Sequence, residues 1–291
     1  MRLKYSPTSV IRTFLLLGAL LVATDAAGAD RLAWTGAVTQ VEGAGGGGLV
    51  PWALIAGLGT ADQVGGSAFV TYVDTPSFSL RTGGVSIGFY DRVEVSYVRQ
   101  RFEAGSVLPG LTLGQDIIGL KAKVMGDAVF DPEHWLPQIA VGVLAKRTLD
   151  FDSIPHAVGA QRSNDVEVYV AASKLYFAAV AGRNVVVNAT LRRARANQFG
   201  LLGFGGDRQS KQRYFPEGSI GVLLTEQILL GAEWRAKPDN LGAFKEDSAK
   251  DVFVAWNPHK QLCATIAWLD LGRLAGKPAQ RGLYASIWFG Y

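Results

Sequence analysis

Apolar and polar residues alternate along the chain from residue 65 to its carboxyl-terminal end. In residues 282–291, GLYASIWFGY, one face of a strand would carry Leu283, Ala285, Ile287, Phe289 and Tyr291, because successive side chains of a strand point to opposite faces. Twelve segments show this alternation: 65–73, 79–90, 93–102, 112–125, 138–148, 166–177, 185–195, 218–225, 228–237, 251–257, 262–270 and 282–291. Each is near the roughly nine to eleven residues that a tilted strand needs to cross a bilayer. The pattern therefore predicts twelve strands.

The last strand favours a membrane barrel over a soluble protein. An exposed Ile-Trp-Phe-Gly-Tyr ending would be an aggregation-prone edge in a soluble protein, whereas a closed barrel has no free edge. The segment also resembles the terminal strand that bacterial outer-membrane barrels present to their assembly machinery. This resemblance implies that Tyr291, Phe289 and Ile287 form an assembly signal. A buried last strand in a soluble β-sandwich is the alternative.

The connections between the predicted strands alternate in length, as they do in bacterial outer-membrane barrels. If the carboxyl terminus is periplasmic, the short turns at 91–92, 181–184, 226–227 and 258–260 are periplasmic, and the long segments 150–165, 196–217 and 238–250 are external. Connection 126–137 is the exception, and its residues 131–136 fit a short helical turn with Pro132 in its first position. We predict an all-β fold, a transmembrane antiparallel up-and-down β-barrel of 12 strands, or of 14 if residues 32–41 and 52–60 both join the wall.

Residues 1–29 have the features of a secretory signal peptide. Three basic residues precede a short apolar run at 14–23, and the small residues at 27–29 fit the cleavage pattern. The apolar run is too short for a transmembrane helix, and a retained anchor is the alternative. The sequence thus predicts export to the outer membrane of a Gram-negative bacterium, with a mature chain that begins at Asp30.

Composition argues against several other classes of protein. Loss of residues 1–29 removes three basic residues and one acidic residue, which lowers the net charge from +4 to +2, so nothing indicates a nucleic-acid partner. Cys263 is the single cysteine, which leaves no intramolecular disulfide and no cysteine-based zinc site. Glycine, at 35 of 291 residues, exceeds its average share of about 7%, and this suits the short, curved strands of a barrel.

Residues 30–64 form a glycine-rich amino-terminal segment ahead of the barrel at residues 65–291. The four adjacent glycines at 45–48 have no side chains to pack, which indicates a flexible or closely packed loop near the barrel mouth or in the lumen, where it is a possible plug. Gly43, Gly45 and Gly48 formally match the spacing of a dinucleotide-binding fingerprint. That motif needs a strand before it and a helix that opens on it, and the four glycines and Pro51 argue against such a unit.

The string VEGAGGGGLVPWALIAGLGT, residues 41–60, resembles the signature of a proteobacterial family of unknown function. Members of that family are exported proteins of about this length and are presumed to be outer-membrane β-barrels. The resemblance implies the barrel fold, and it implies no activity, ligand or catalytic residue.

Charged residues that share the phase of the polar strand face are expected to line the lumen. These candidates are Glu94, Lys121, Lys123, Lys146, Glu167, Arg192, Glu233 and Arg235. Such charges either line an aqueous path, where an excess of basic residues would favour anionic solutes, or pair with one another in a filled interior. The sequence leaves both arrangements open.

The function predicted first is that of a small passive channel or transport-related porin. The alternative is a structural or envelope-interaction barrel with a filled lumen. A barrel lipid hydrolase is a third and disfavoured class, because none of the three histidines lies on a predicted strand beside a serine. No catalytic residue, metal site or cofactor is predicted. The expected partners are the barrel assembly machinery, outer-membrane lipid and lipopolysaccharide, whose phosphates the outward-facing Arg99 and Arg101 would meet.

Overall fold

A closed antiparallel barrel of twelve strands dominates the computed structural model, which describes residues 38–129 and 135–291. The strands are β1 (Val64–Asp74), β2 (Ser79–Phe89), β3 (Val93–Glu103), β4 (Thr112–Met125), β5 (Gln138–Thr148), β6 (Asn164–Val180), β7 (Arg183–Ala194), β8 (Arg213–Leu223), β9 (Ile228–Arg235), β10 (Ala249–His259), β11 (Leu262–Asp270) and β12 (Arg281–Gly290). Each strand pairs with its neighbours in sequence, and β12 pairs with β1, which closes the barrel. The predicted fold class and the prediction of twelve strands are confirmed.

The strand boundaries follow the alternation of the sequence closely. Strands β4, β5 and β11 have the predicted ends. The largest difference is in β8, which begins at Arg213 rather than at residue 218. Pro216 hides this extension, because proline donates no ladder hydrogen bond and usually argues against a strand. The extension is important, since it brings Glu217 into the barrel wall.

The barrel wall reverses the polarity of a soluble protein. Along β6, the apolar side chains of Val166, Val168 and Val170 are exposed, whereas Glu167 and Tyr169 are buried. Neighbouring strands show the same arrangement, so the outer surface is largely apolar and the interior contains most of the buried charges. This alternation, with apolar side chains outward and polar side chains inward, is typical of barrels that lie in lipid.

The two ends of the barrel differ in the length of their connections. The tight-turn end, where β1 begins and β12 ends, has connections as short as residues 181–182 and 260–261. The long-loop end has connections such as 149–163, 195–212 and 236–248. Two connections depart from this rule: 126–137 is long for its end, and 75–78 is short for its end.

Residues 38–62, here called the lumenal segment, belong to no strand of the wall, and all of them except the exposed Ala61 and Asp62 lie inside the barrel. Every residue from 39 to 59 is buried, and the segment contains only the isolated bridges Thr39↔Gly45 and Gly46↔Pro51. The fourteen-strand alternative is therefore wrong, because residues 52–60 pack within the lumen instead of adding a strand. A strand of the wall would have one face toward lipid. Residues 52–60 instead contact charged wall residues such as Glu94, which accepts from Ala56 N.

Among the residues that the structure describes, helical structure is limited to short turns in the connections. One turn, Ile154–Ala157, lies between β5 and β6. Within the described ranges, no helix has the length and apolar character needed to cross a membrane. The predicted signal peptide at residues 1–29 and most of the predicted helical turn at 131–136 lie outside the described residues.

Candidate functional site in the barrel lumen

The lumenal segment is folded into tight turns by its own backbone hydrogen bonds. Val41 N donates to Gly48 O at 3.0 Å, and Trp52 N donates to Gly45 O at 3.1 Å. Gln40 stabilises the same turn, because its side-chain amide donates to Leu49 O at 2.8 Å. These bonds make the segment compact enough to enter the lumen as a unit.

The glycines of this segment are required by close packing. A β-carbon at Gly47 would come within 1.9 Å of Glu233 Oε1, and one at Gly46 would come within 2.5 Å of Val50 O. Gly43 has a φ of +98°, which disfavours any other residue. Of the two alternatives for the glycine cluster, flexible or closely packed, the structure shows the second.

Glu42 is the charged centre of the lumen. Its carboxylate is fully buried and receives Lys146 Nζ at 2.5 Å, Arg192 Nη1 at 3.2 Å, and Arg235 Nη1 and Nη2 at 2.9 and 3.1 Å. The three cations lie on β5, β7 and β9, so one side chain of the lumenal segment joins three strands of the wall. Buried carboxylates are tolerated only when they are paired and hydrogen-bonded in this way.

Two wall carboxylates complete the network around Glu42. Glu167 accepts from Lys146 at 2.7 Å and from Arg192 at 2.9 Å. Glu217 accepts from Arg192 at 2.5 Å and lies 3.4 Å from Arg235. The Glu42 cluster, which we define as Glu42, Lys146, Glu167, Arg192, Glu217 and Arg235, thus contains three anions and three cations.

A second anchor lies on β3 and β4. Glu94 accepts hydrogen bonds from Gly45 N at 3.1 Å and Ala56 N at 2.7 Å, two amides of the lumenal segment. Lys121 pairs with Glu94 at 3.0 Å and donates to Gly45 O at 2.9 Å. Glu94 therefore binds two amides of the segment, and Lys121 adds a second hydrogen bond to Gly45 O, which also accepts from Trp52 N.

A third anchor lies on the opposite wall. Glu233 on β9 accepts from Leu49 N at 2.6 Å and from Ser219 Oγ at 2.7 Å. Because β3 and β9 are six strands apart in a barrel of twelve, the anchors at Glu94 and Glu233 face each other across the lumen. The lumenal segment consequently spans the barrel from wall to wall.

Polar side chains of the wall fix the segment around Pro51 as well. Thr190 Oγ1 donates to Pro51 O at 2.8 Å, Ser173 Oγ accepts from Ala53 N at 2.8 Å, and Gln138 Nε2 donates to Ala53 O at 2.6 Å. Wall side chains thus supply the hydrogen-bond partners of the backbone at Pro51 and Ala53.

Seven of the eight predicted lumen-lining residues are buried and contact the lumenal segment or the Glu42 cluster: Glu94, Lys121, Lys146, Glu167, Arg192, Glu233 and Arg235. Lys123 differs, because it lies near the tight-turn end and pairs with Asp91 at 2.5 Å and Asp127 at 3.6 Å.

Sequence reasoning missed Glu42 and Glu217. Glu42 is an acidic residue next to the glycine cluster, and this isolation in an otherwise uncharged stretch was the available signal. Glu217 was hidden by the late start predicted for β8. With these two carboxylates included, the basic excess expected for the lumen disappears, and no preference for anionic solutes follows from the charge balance.

The β7–β8 connection covers the lumenal segment from the long-loop end. Its Gln198 and Phe199 have φ values of 47° and 61°, a conformation that costs non-glycine residues about 1–3 kcal/mol each. The Phe199 ring lies 4.6 Å from the Arg235 guanidinium and 5.4 Å from Lys237 Nζ, which are cation–π contacts. The connection is thereby attached to Arg235, one of the cations of the Glu42 cluster.

Glu246, in the β9–β10 connection, holds the turn at Gln198. Its carboxylate accepts from Gln198 N at 3.0 and 3.2 Å and lies 3.8 Å from Lys237 Nζ. Burial raises the pKa of Glu246 to about 7, even though Lys237 and the Gln198 amide act in the opposite direction. Burial also lowers the pKa of Lys237 below its ordinary value.

His156 and Ser153, in the connection between β5 and β6, contact other residues of the same connection. His156 packs against the Phe151 ring at 5.7 Å, and Ser153 Oγ donates to the Asp150 backbone carbonyl at 2.5 Å. Over residues 38–129 and 135–291, no cluster of three or more histidine, cysteine or acidic residues is arranged to hold a metal ion. Cys263 is a buried residue of β11.

The outer surface near the long-loop end carries a group of arginines. Arg81 on β2 and Arg101 on β3 lie directly opposite each other in the ladder, and both are exposed. Arg99, two pairs further along the same ladder, binds Asp116 through two hydrogen bonds of 2.7 Å. Like charges in directly opposed positions destabilise a sheet, so the Arg81–Arg101 pair is a site where an anion would be stabilising.

Comparison with known proteins gives a family and a fold. A family model described as "Protein of unknown function (DUF3034)" matches residues 35–288. The KdgM porin has 10% sequence identity and a TM-score of 0.51 over 77% of this chain and 99% of its own. The NanC porin has 11% identity and a TM-score of 0.47, over 77% of this chain and 97% of its own.

The outer membrane protein Omp33 of Acinetobacter baumannii has 10% identity and a TM-score of 0.42, over 79% of this chain and 98% of its own. No curated protein matches the chain in sequence. At these identities, the likeness to the KdgM porin supports the barrel architecture and gives no information on the solute or the mechanism.

Proposed function

We propose a function from the geometry of the lumen. The chain belongs to the family of proteins of unknown function DUF3034, and this family supplies no function of its own. The protein is a small outer-membrane channel whose lumenal segment acts as a plug, so that the structure is the closed state. The observation that carries this proposal is the attachment of residues 38–62 to facing strands, through Glu94 on β3 and Glu233 on β9. A segment held in this way fills the path that the wall would otherwise enclose.

The outer surface supports a location in a membrane. The outer surface has an apolar belt that a soluble protein would bury. Its exposed side chains include Val252, Val254 and Trp256 on β10, and Ile266 and Trp268 on β11. Aromatic side chains such as Trp268, near the end of its strand, suit the lipid–water interface. By the usual arrangement of such barrels, the tight-turn end faces the periplasm and the long-loop end faces outward.

The plug is bound by contacts that can be released. It belongs to no strand of the sheet; Glu42, Glu94 and Glu233 provide its ionic and polar anchors, and apolar residues such as Trp52 and Leu58 pack with apolar residues of the wall. If it left the lumen, the charged side chains of the wall would face water, which is the environment that charges prefer. The porin architecture shared with the KdgM porin is consistent with a passive path of this kind.

A permanently filled barrel with a structural or envelope-interaction role is the second candidate. The close fit of Gly46 and Gly47 favours it, because the backbone at these two residues leaves no space even for a β-carbon. The two candidates differ in one respect, which is whether removal of the plug produces a path for solutes.

Liposome swelling distinguishes them. Vesicles containing the full-length protein should swell slowly in an uncharged sugar, and vesicles containing a variant that lacks residues 38–58 should swell rapidly. Equal and rapid swelling would show that the segment does not close the barrel. No swelling with the shortened variant, when its heat-modifiable gel migration shows a folded barrel, would support the filled-barrel alternative.

The barrel ends suggest two partners. Tyr291 follows β12 and joins the start of β1, because its carbonyl accepts from Leu58 N at 3.2 Å and Gly66 N at 3.0 Å. We propose that Tyr291, Phe289 and Ile287 are read by the barrel assembly machinery before this closure forms. The Arg81–Arg101 pair is suited to the phosphate groups of lipopolysaccharide, since two guanidinium groups can bind one phosphate.

A further inference from the structure

A cavity of about 60 Å³ lies between the plug, the β7–β8 connection and the barrel wall, near the long-loop end. Val41 and Leu49 of the plug form one side, and Leu201 and Leu202 of the connection form another. The stacked rings of Phe78 and Phe102 and the side chain of Leu274 lie on the wall side. No lining residue is charged, although Glu42 is the neighbour of Val41 in sequence.

Gln198 gives this apolar cavity a polar group. Its side chain lines the cavity and is only 3% exposed, and neither its Nε2 nor its Oε1 has a hydrogen-bond partner in the described part of the chain. A buried amide in this state destabilises the folded protein, because it has lost its hydrogen bonds to water without replacement. Gln100, 1% exposed, lines the same cavity with an unpartnered Oε1, while its Nε2 donates to Val41 O at 2.9 Å.

The backbone at Gln198 has a conformation that non-glycine residues disfavour, and contacts with another connection maintain it. Its φ of 47° and the φ of 61° at Phe199 are both in the left-handed region, and the hydrogen bonds from Gln198 N to Glu246 maintain the turn. Backbone strain and unpaired buried polar groups tend to occur together at binding sites. An apolar cavity with a few convergent polar groups is also the usual form of a small-molecule site.

We propose that this cavity binds a small uncharged molecule that is mostly apolar and carries one group able to donate and to accept hydrogen bonds, such as a primary amide. An amide can pair with both atoms of the Gln198 side chain, and it presents a donor to Gln100 Oε1. Because one water-sized group needs about 10–15 Å³, the cavity accommodates roughly four to six non-hydrogen atoms. The proposal does not depend on conduction, since binding requires no movement of the plug.

Butanamide, which has six non-hydrogen atoms, is the first probe, and butyrate is the charged molecule of matched size. Full-length protein in lipid nanodiscs is titrated with each, and binding is followed by ligand-observed NMR against empty nanodiscs. Butanamide should bind saturably, with a Kd on the order of 1 mM for a ligand of this size. Butyrate should show no saturable binding, because the cavity offers no cation.

Chain length separates binding in the cavity from partition into lipid. From acetamide to decanamide, partition strengthens with every methylene group by about fourfold, whereas affinity for a finite cavity should rise to a maximum near butanamide and then fall. A steady increase through decanamide, equal to that of empty nanodiscs, would overturn the proposal.

Two variants locate the site. Gln198→Leu should weaken butanamide binding about tenfold, and Leu202→Trp should abolish it by filling the cavity. Heat-modifiable migration on gels serves as the check that each barrel is folded. Leu274→Trp fills the cavity from the β11–β12 connection and replaces Leu202→Trp if that variant does not fold. Unchanged butanamide affinity in Gln198→Leu and in the folded tryptophan variant would overturn the assignment.

Discussion

The backbone of Gly47 lies so close to the Glu233 carboxylate that a β-carbon at Gly47 would come within 1.9 Å of Glu233 Oε1. The same carboxylate accepts a hydrogen bond from Leu49 N at 2.6 Å. The wall and the plug are therefore complementary at single-atom scale, and the absence of a side chain at Gly47 is a condition of that fit. Gly47 therefore lies where the lumen leaves no space for a side chain.

Gly47→Val should prevent the plug from seating. The added side chain overlaps the Glu233 carboxylate, and overpacking of a filled interior costs about 1–3 kcal/mol or more. The expected result is faster cleavage of residues 38–62 by a protease added to folded protein in detergent, with the barrel itself resistant. Gly83→Ala is the matched control, because the nearest atom to its β-carbon would be 3.6 Å away. Equal protection of the plug in the wild type and in Gly47→Val would contradict the packing argument.

Glu42→Gln should loosen the plug without changing its shape. The substitution leaves three buried cations with two carboxylates, and removal of one partner from a buried ion pair costs about 3–5 kcal/mol. Amide exchange at Val41, whose N–H is bonded to Gly48 O, should accelerate by at least a hundredfold. The measurement is hydrogen–deuterium exchange of the folded protein.

Combining Lys146→Met with Glu42→Gln tests whether the ion pair between these two residues holds the plug. The double variant restores the balance of charge in the Glu42 cluster, so its Val41 amide should exchange more slowly than in Glu42→Gln alone. Strictly additive effects of the two changes would show that the Glu42–Lys146 pair, at 2.5 Å, does not hold the plug.

The seating of the β7–β8 connection should weaken as the pH rises from about 4.5 to about 7. Burial raises the pKa of Glu246 in the folded protein to about 7, from an ordinary value of 4.5. The folded form therefore binds more protons in this window and loses stability as the proton leaves, by at most about 3 kcal/mol. Protection of the Gln198 amide, corrected for intrinsic exchange, should be greater at pH 5 than at pH 8.

Two variants assign this pH effect. Glu246→Gln should remove it, and Asp247→Asn, a change in the neighbouring half-buried acid, should leave it in place. A pH dependence that persists in Glu246→Gln would assign the effect to another group.

Arg81→Ser combined with Arg101→Ser should reduce the lipopolysaccharide that copurifies with the barrel by about tenfold, since charge-assisted hydrogen bonds contribute about 1.5–3 kcal/mol. Arg193→Ser is the control, because the cross-strand neighbours of Arg193 are Val168 and Tyr214 rather than another arginine. The measurement is the phosphate content of the purified protein. An equal reduction in the control would indicate a general effect of charge and no specific phosphate site.

The barrel could be predicted from the sequence because the pattern that determines it, the alternation of apolar and polar residues, is visible within each short segment. Alternation along each strand determines which side chains face lipid, and the twelve strands, the pairing of β12 with β1 and the inward placement of residues such as Arg192 all follow from that period. Lys123 lies at the tight-turn end and not beside the lumenal segment, because the phase of the alternation does not determine how far along the barrel axis a side chain lies.

The interior of the lumen could not be predicted, because its information is nonlocal. Glu42 meets Arg235, which lies 193 residues away in sequence, and no period relates the two. The conformation of residues 38–62 is determined by wall residues from many strands, among them Glu94, Ser173 and Glu233. The same is true of Gln198, whose strained turn depends on Glu246 in another connection.

Current through single barrels in a planar lipid bilayer tests the central claim most directly. The claim is that residues 38–62 close a channel. Wild-type protein should be silent or show only rare, brief steps, and Gly47→Val should show long-lived steps of uniform size, with Gly83→Ala matching the wild type. A folded Gly47→Val barrel that is as silent as the wild type, or a wild-type barrel that conducts as steadily as the variant, would contradict the account.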